Sequence, residues 1–205
     1  MTHKWEKPVK AVLDFFHLDD VILIGGSLGG NLVLRAADFE KRVTKVICFD
    51  IFPDLFAVSL NQIPSDFRDF VRQNVLANTG RDELNQAENK EMNNNLTVQW
   101  AVNQGMQVMG CETPYDFLRK TTLFRTQPIS DKVTQDVLLL AGQKDHYVPL
   151  EQLSQQIQSL TSVHSLTARV FTTREQAADH CQVGNTGLAL QTMLNWLDTE
   201  NGRTN

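Results

Sequence analysis

The sequence predicts an α/β protein built on a mostly parallel sheet. Four short runs of branched apolar residues support this fold class: residues 21–25, 46–51, 137–142 and 166–171. Such runs are typical of strands that are buried on both faces of a parallel sheet. Stretches with helical spacing separate the first run from the second and the third from the fourth, as crossovers between parallel strands require. Residues 54–125 lack a convincing strand, and we interpret them as a helical lid or cap insertion.

Length and composition indicate one globular domain over residues 1–205. The 205 residues suffice for a hydrophobic core, and 41% of them are hydrophobic while 21% are charged. The net charge of −5 argues against nucleic acid or an anionic membrane as the main partner. The sequence also lacks an apolar run of membrane-spanning length. We therefore expect a domain that binds neither nucleic acid nor a membrane.

The N-terminus and the cysteines indicate a cytoplasmic protein. Residues 9–16 have the periodicity of an amphipathic helix and carry charges, unlike the apolar core of a secretion signal. Cys48, Cys111 and Cys181 are too few and too scattered for a disulfide framework or a metal cluster. Reduced thiols in the cytoplasm are the simplest expectation.

The most informative stretch follows the first predicted strand. Residues 25–29 read Gly-Gly-Ser-Leu-Gly, which fits the pattern Gly-x-Ser-x-Gly of a strand-to-helix elbow that exposes a nucleophilic serine, here Ser27. A phosphate-binding loop would need lysine at Asn31, and a dinucleotide fingerprint would need glycine where Ser27 or Leu28 stands. A glycine turn without chemistry stays open until partners for the serine are found.

The histidines include one well-placed base for this serine. A serine hydroxyl needs a base within hydrogen-bond distance and an acid that orients the base. His180 follows the strand at 166–171, and functional loops of parallel sheets gather at the carboxyl ends of strands. His146 is an alternative base, and His164 lies in a polar turn. His180 could also be an ordinary surface histidine.

Asp145 is the leading acid because it follows the strand at 137–142 after a short turn. A simpler role for Asp145 is to cap the helix ahead of it. Asp179 is a weaker alternative because it directly precedes the proposed base. Asp136 enters its strand at the amino end, away from the site.

Three segments resemble the C-terminal half of an α/β-hydrolase. Residues 25–30 and 141–145 are general to that fold. Residues 180–185, in which His-Cys-Gln is followed by an asparagine that opens the last helix, are similar to the acylaminoacyl-peptidase-like and dipeptidyl-aminopeptidase-like hydrolases. The resemblance extends over residues 8–198.

The resemblance implies a serine hydrolase that cleaves an ester or amide bond through an acyl-enzyme intermediate. Ser27 is then the nucleophile, His180 the base and Asp145 the acid, in the chain order of α/β-hydrolases. The expected partner is a small-molecule or peptide acyl substrate, and no cofactor or metal is implied.

The same resemblance implies that strands are missing before the elbow strand. The Leu28 N–H can serve as one oxyanion donor, but the second donor has no source in this chain. An alternative is therefore a truncated, impaired hydrolase fragment or the non-catalytic half of an assembly. Strand 21–25 becomes a sheet edge with unpaired apolar backbone. We expect another molecule to pair this edge, with self-association as one route.

The helical insertion supplies further expectations. Ser65 is predicted to cap a helix that Gly80 ends, and Thr113 to cap another. Large apolar side chains of the insertion could line an acyl pocket, although core packing explains most of them. These are Phe67, Phe70, Trp100, Met106 and Met109.

Overall fold

The computed structural model describes residues 1–202, and the side chains of all of these except 97 and 200–202. The backbone divides into two compact units. The sheet unit comprises Lys4–Asp54 and the chain from Arg125 onward, and the helical unit comprises Met1–His3 and Leu55–Phe124. The helical unit covers the residues that the sequence assigns to an insertion, and its role as a lid stays a prediction.

The sheet is parallel throughout and confirms all four predicted strands. They are β1 (Val21–Gly26), β2 (Val43–Phe49), β3 (Asp136–Gly142) and β4 (Ser165–Phe171), in the order β1-β2-β3-β4. In the described residues β1 pairs only with β2, so it is a sheet edge. Strand β2 ends two residues earlier than predicted because the chain leaves the ladder after Phe49. The Ile51 N–H then donates to the Leu140 carbonyl at 3.0 Å.

Helices connect the strands and form the second unit. In chain order they are α1 (Glu6–Phe16), α2 (Leu28–Phe39), α3 (Leu55–Asn61), α4 (Ser65–Ala77), α5 (Arg81–Asn94), α6 (Leu96–Met109), α7 (Pro114–Thr121), α8 (Leu150–Ser159) and α9 (Thr186–Gly202). None of the helices in the described part of the chain combines the length and the apolar character that a membrane span requires.

Both faces of the central strands β2 and β3 are packed, as their continuous apolar residues predict. On one face Val46 and Leu139 pack with Leu34 of α2 and Leu153 of α8. The opposite face packs against α9, with a cluster of Ile47, Leu138, Leu140, Met193 and Trp196. Each such side chain contributes about 1.5–3 kcal/mol to folding. This two-sided core holds the carboxyl ends of the strands in fixed positions.

The helical unit has a core of its own and corrects two predictions. Its buried side chains include Phe56, Leu60, Val71, Val75, Leu84, Tyr115 and Leu118. Ser65 does not cap α4, because it is the first helical residue and Pro64 precedes it in extended backbone. Gly80 does not end α4 either. Asn78 takes the left-handed conformation there, which asparagine tolerates, and Gly80 instead precedes α5. Thr113 caps α7 as predicted.

Candidate active site

Ser27 lies on a sharp turn between the end of β1 and the start of α2. Its backbone has φ 55° and ψ −125°, a strained conformation for a residue with a side chain. The turn is too crowded for side chains on its glycines, since a Cβ at Gly25 would lie 2.0 Å from the Gly29 carbonyl oxygen. The Ser27 N–H donates to the Phe49 carbonyl at 2.7 Å. The predicted strand–turn–helix context of the motif is therefore present.

The side chains of Ser27, His180 and Asp145 form one chain of hydrogen bonds. Ser27 Oγ lies 2.7 Å from His180 Nε2. His180 Nδ1 lies 2.7 Å from Asp145 Oδ2. Residues separated by 153 and 35 positions in sequence thus meet in the sheet unit. We name this arrangement the Ser27–His180–Asp145 chain.

Both carboxyl oxygens of Asp145 accept hydrogen bonds. Oδ1 accepts the N–H groups of Tyr147 and Val148 at 2.7 and 2.9 Å, and Oδ2 accepts from His180. The turn that follows β3 also contacts the His180 loop, because the Lys144 N–H donates to the Ala178 carbonyl at 2.8 Å. Asp145 therefore organises its own turn and orients the imidazole at the same time.

The loop that carries His180 is fixed by polar contacts at its far end. His180–Gln182 form one turn of 3₁₀-helix. Asn185 Nδ2 donates to the Glu175 carbonyl at 2.9 Å, and Asn185 Oδ1 accepts the Leu188 N–H at 3.2 Å. Asn185 thereby opens α9, as its position in the resembling segment predicts. The imidazole itself is only 15% exposed.

The electrostatics of this site favour an ionised Asp145. Burial opposes its charge, but hydrogen bonds from His180 and from the Val148 N–H outweigh burial and lower its pKa to about 2. Burial also disfavours a charged His180. The hydrogen bond to Asp145 and contact with the Cys181 thiol prevail and raise the pKa of His180 above its usual value. The surroundings therefore stabilise an imidazolium, the form that this ring takes after accepting a proton.

Leu28 is the first residue of α2, directly after Ser27. The first N–H groups of a helix have no carbonyl partner within the helix. The Leu28 N–H is therefore available in the turn that Ser27 occupies.

The five apolar residues predicted to line a pocket all lie in the helical unit. Phe67 and Phe70 of α4 contact each other with ring centroids 5.0 Å apart, and Phe67 packs against that unit's core. Met109 is buried, Met106 is half-buried, and Trp100 is 66% exposed on α6. Packing within the helical unit accounts for Phe67 and Met109.

Asp50 is an acidic residue of the site that the sequence interpretation missed. Its predicted position was inside the strand at 46–51, whereas the structure ends β2 at Phe49 and turns Asp50 toward the His180 loop. Its Oδ2 lies 3.7 Å from His180 Nδ1. A carboxylate at the carboxyl end of an apolar run, on the strand between those that lead to Ser27 and Asp145, is the signal that could have found it.

Asp50, His180 and Cys181 carry potential metal ligands within 4.8 Å of one another. Both ring nitrogens of His180 already face hydrogen-bond partners, Ser27 and Asp145. A cation bound by this set would therefore compete with the Ser27–His180–Asp145 chain.

Residues 3–185 match the sequence model of a protein family that is described as "alpha/beta hydrolase fold". The chain belongs to the α/β-hydrolase family. The four-stranded parallel sheet, flanked by helices, agrees with this assignment.

Two curated relatives of this α/β-hydrolase carry hydrolase names. The 20-hydroxy-prefusarin hydrolase FUS2 of Gibberella moniliformis is 33% identical over 126 residues, which cover 56% of this chain and 29% of that protein. The hydrolase acrC of Aspergillus aculeatus is 24% identical, over 96% of this chain and 48% of that protein. The chain thus spans less than half the length of these relatives.

A solved structure shows the same fold. The crystal structure of a 2,6-dihydroxy-pseudo-oxynicotine hydrolase superposes with a TM-score of 0.65 at 20% identity, over 96% of this chain and 46% of that one. At this identity the likeness concerns the fold alone.

Proposed function

We propose that this α/β-hydrolase is a serine hydrolase that cleaves an ester or amide bond through an acyl-enzyme intermediate. The observation that supports the proposal most strongly is the Ser27–His180–Asp145 chain. The two heavy atoms of each of its hydrogen bonds are 2.7 Å apart. These are the distances at which a base can take the serine proton while an acid orients the base.

The proposed reaction has two halves. Ser27 Oγ attacks the substrate carbonyl carbon while its proton passes to His180 Nε2, and the tetrahedral intermediate then collapses as His180 returns the proton to the leaving group. Water next attacks the acyl-Ser27 ester, with His180 again taking and returning one proton. Asp145 stays ionised throughout and stabilises the imidazolium, in keeping with its lowered pKa.

The Leu28 N–H is our proposed oxyanion donor, since it comes from the residue after the nucleophile. A complete oxyanion hole needs a second donor, and losing one donor costs about 10²–10³ in rate.

For the substrate we propose an acyl compound, either a small-molecule ester or a peptide-like amide. The residues at 180–185 resemble those of acylaminoacyl-peptidase-like hydrolases, which favours the amide class. Of the two curated relatives, one is named a 20-hydroxy-prefusarin hydrolase and the other only a hydrolase.

The test is covalent labelling with a fluorophosphonate, followed by turnover of a panel of p-nitrophenyl esters. We expect wild type to be labelled and Ser27→Ala to be unlabelled. Ser154→Ala is the matched control, because Ser154 is an exposed serine of α8. Undiminished labelling of Ser27→Ala would contradict the proposal. Labelling of wild type without any ester turnover would favour the alternative, an impaired hydrolase fragment.

We also propose that the β1 edge mediates self-association. Ile22 and Ile24 of this edge are 39% and 53% exposed, and an unpaired apolar strand is a template for pairing. Sedimentation velocity should show a concentration-dependent mass that Ile24→Lys reduces to the monomer. A wild type that stays monomeric at high concentration would contradict the proposal.

A further inference from the structure

Asp50 is a buried carboxyl group with several partners in the sheet unit. It is 1% exposed and directly follows β2. Its Oδ2 accepts the Cys181 N–H at 3.0 Å and Nε2 of the buried Gln182 at 3.3 Å. The same oxygen lies 3.7 Å from His180 Nδ1. Three consecutive residues of the 180–182 turn therefore converge on one carboxyl group.

The backbone around Asp50 is attached to the other two parts of the site. A Cβ at Gly30 of α2 would lie 2.3 Å from the Asp50 carbonyl oxygen, so this helix and the Asp50 backbone touch. Asn31 Nδ2 of the same helix donates to the Phe52 carbonyl at 2.8 Å. On the other side, Ile51 is hydrogen-bonded to β3. Asp50 thus lies between the helix of Ser27 and the strand that leads to Asp145.

The carboxyl groups of Asp50 and Asp145 influence each other, and their pKa values shift in opposite directions. Burial, and next the interaction with Asp145, raise the pKa of Asp50 to about 7, whereas the pKa of Asp145 falls to about 2. Of the two groups, Asp50 is therefore the one that binds a proton more readily. Above its pKa, Asp50 becomes a second negative charge beside His180.

We infer that Asp50 is a positioning residue, which fixes the turn that carries His180 by accepting from the Cys181 N–H and the Gln182 side-chain amide. The inference rests on the proposed serine hydrolase function. The titratable groups that face this carboxyl are Asp145, His180 and the Cys181 thiol. The rings of His146 and Tyr147 face His180 from the turn after β3, with centroids 6.3 and 5.1 Å away.

The amide of Asp50→Asn reproduces the protonated form of Asp50. Its Oδ1 can accept the Cys181 N–H and its Nδ2 can donate to Asp145, but it cannot ionise. Asp50→Ala removes both contacts. A positioning role therefore predicts that asparagine preserves kcat and alanine does not.

The first test is kcat and KM against pH for a p-nitrophenyl ester that wild type turns over. We expect kcat of Asp50→Asn within about tenfold of wild type, and kcat of Asp50→Ala lower by about 10²-fold at little-changed KM. Above the pKa of Asp50, the wild-type carboxylate stabilises the imidazolium and the asparagine amide does not, so the pKa of His180 should fall in Asp50→Asn. The acid limb of kcat/KM should accordingly move to lower pH by about one unit.

Asp136→Asn is the matched control, since it changes another aspartate that contacts a histidine, at the amino end of β3 and away from residues 180–182. Its pH profile should equal that of wild type. An unmoved acid limb in Asp50→Asn, or equal losses in Asp50→Asn and Asp50→Ala at every pH, would overturn the inference.

An NMR titration of the imidazole groups separates this inference from the proposed function. The His180 resonance is assigned by its loss in His180→Gln, and its pKa is compared between wild type and Asp50→Asn. If wild type shows no labelling or turnover, the proposed function fails. A lowered His180 pKa in Asp50→Asn would still support the contact between Asp50 and His180. An unchanged His180 pKa overturns the inference whatever the activity.

Discussion

Strand β3 has an Asp–His pair at each of its ends. At the amino end, Asp136 Oδ1 lies 2.6 Å from His164 Nδ1. Beyond the carboxyl end, Asp145 Oδ2 lies 2.7 Å from His180 Nδ1. The distances are nearly equal, so the pair by itself does not distinguish a candidate active site from a surface contact.

The two pairs differ in burial and in the order of their hydrogen bonds. The His164 side chain is 79% exposed, against 15% for His180. A serine is present at both ends, but Ser165 donates to the aspartate, at 2.8 Å, whereas Ser27 meets the histidine. A base can activate only the hydroxyl that it contacts. The comparison shows that connectivity and burial, rather than residue types, define the candidate site.

The largest effect that tests this comparison comes from the two histidines. His180→Gln should lower kcat by about 10⁴-fold or more, because it removes the only base in contact with Ser27 among the described side chains. His164→Gln should leave kcat within about twofold, since its ring faces solvent. Steady-state kinetics on one ester substrate measures both. Equal losses of kcat in the two variants would show that the two Asp–His pairs do not differ in function.

The two aspartates should show the next largest contrast. Asp145→Asn keeps the size of the side chain but favours the wrong tautomer of His180, so we expect kcat to fall by about 10³–10⁴-fold. Asp136→Asn should have no such effect. Fluorophosphonate labelling rates provide a second measurement that does not depend on the choice of ester. If Asp145→Asn were labelled as fast as wild type, a residue other than Asp145 would orient His180, and Asp50 would be the first one to test.

The smallest effect concerns stability at the amino end. Burial would raise the pKa of Asp136, but hydrogen bonds from His164 and Ser165 outweigh burial and lower it. A lowered pKa in the folded state contributes stability above the unfolded pKa, and this contribution is lost as the pH falls through the folded value. Asp136→Asn should therefore reduce the free energy of unfolding by less than about 1 kcal/mol at pH 7.

Urea unfolding of wild type and Asp136→Asn at pH 7 and pH 3 measures this difference. It should shrink at the lower pH, where Asp136 begins to be protonated in the unfolded chain. A difference that stays constant between the two pH values would show that the ionised carboxylate is not its source.

The sequence predicted the elements that rest on local patterns. Continuous apolar runs marked all four strands, and the glycine pattern around Ser27 marked the turn between β1 and α2. Asp145 and His180 could be selected because they follow strands in a parallel sheet, where carboxyl ends meet at one edge. The cap at Thr113 was also local, since threonine before proline is a strong helix start.

Predictions failed where local signals competed. Ser65 is a good cap by type, but Pro64 already has the extended backbone that precedes α4. The bounds of α5 were not predicted, because this polar segment has little apolar periodicity; Leu84 is its only buried residue. Asp50 was counted in a strand because Ile51 extends the apolar run beyond it.

The sequence by itself determined the fold class, the elbow at Ser27 and the chain order of nucleophile, acid and base, because each depends on residues close together in the chain or on the direction of parallel strands. Only the tertiary structure decided that His180 rather than His146 contacts the serine, and that Asp50 joins Asp145 beside the same imidazole. These outcomes depend on burial and on hydrogen bonds between residues more than 100 positions apart in sequence, which no local pattern encodes. The Ser27 motif therefore marks a candidate nucleophile, and the packed ends of β2 and β3 determine what surrounds it.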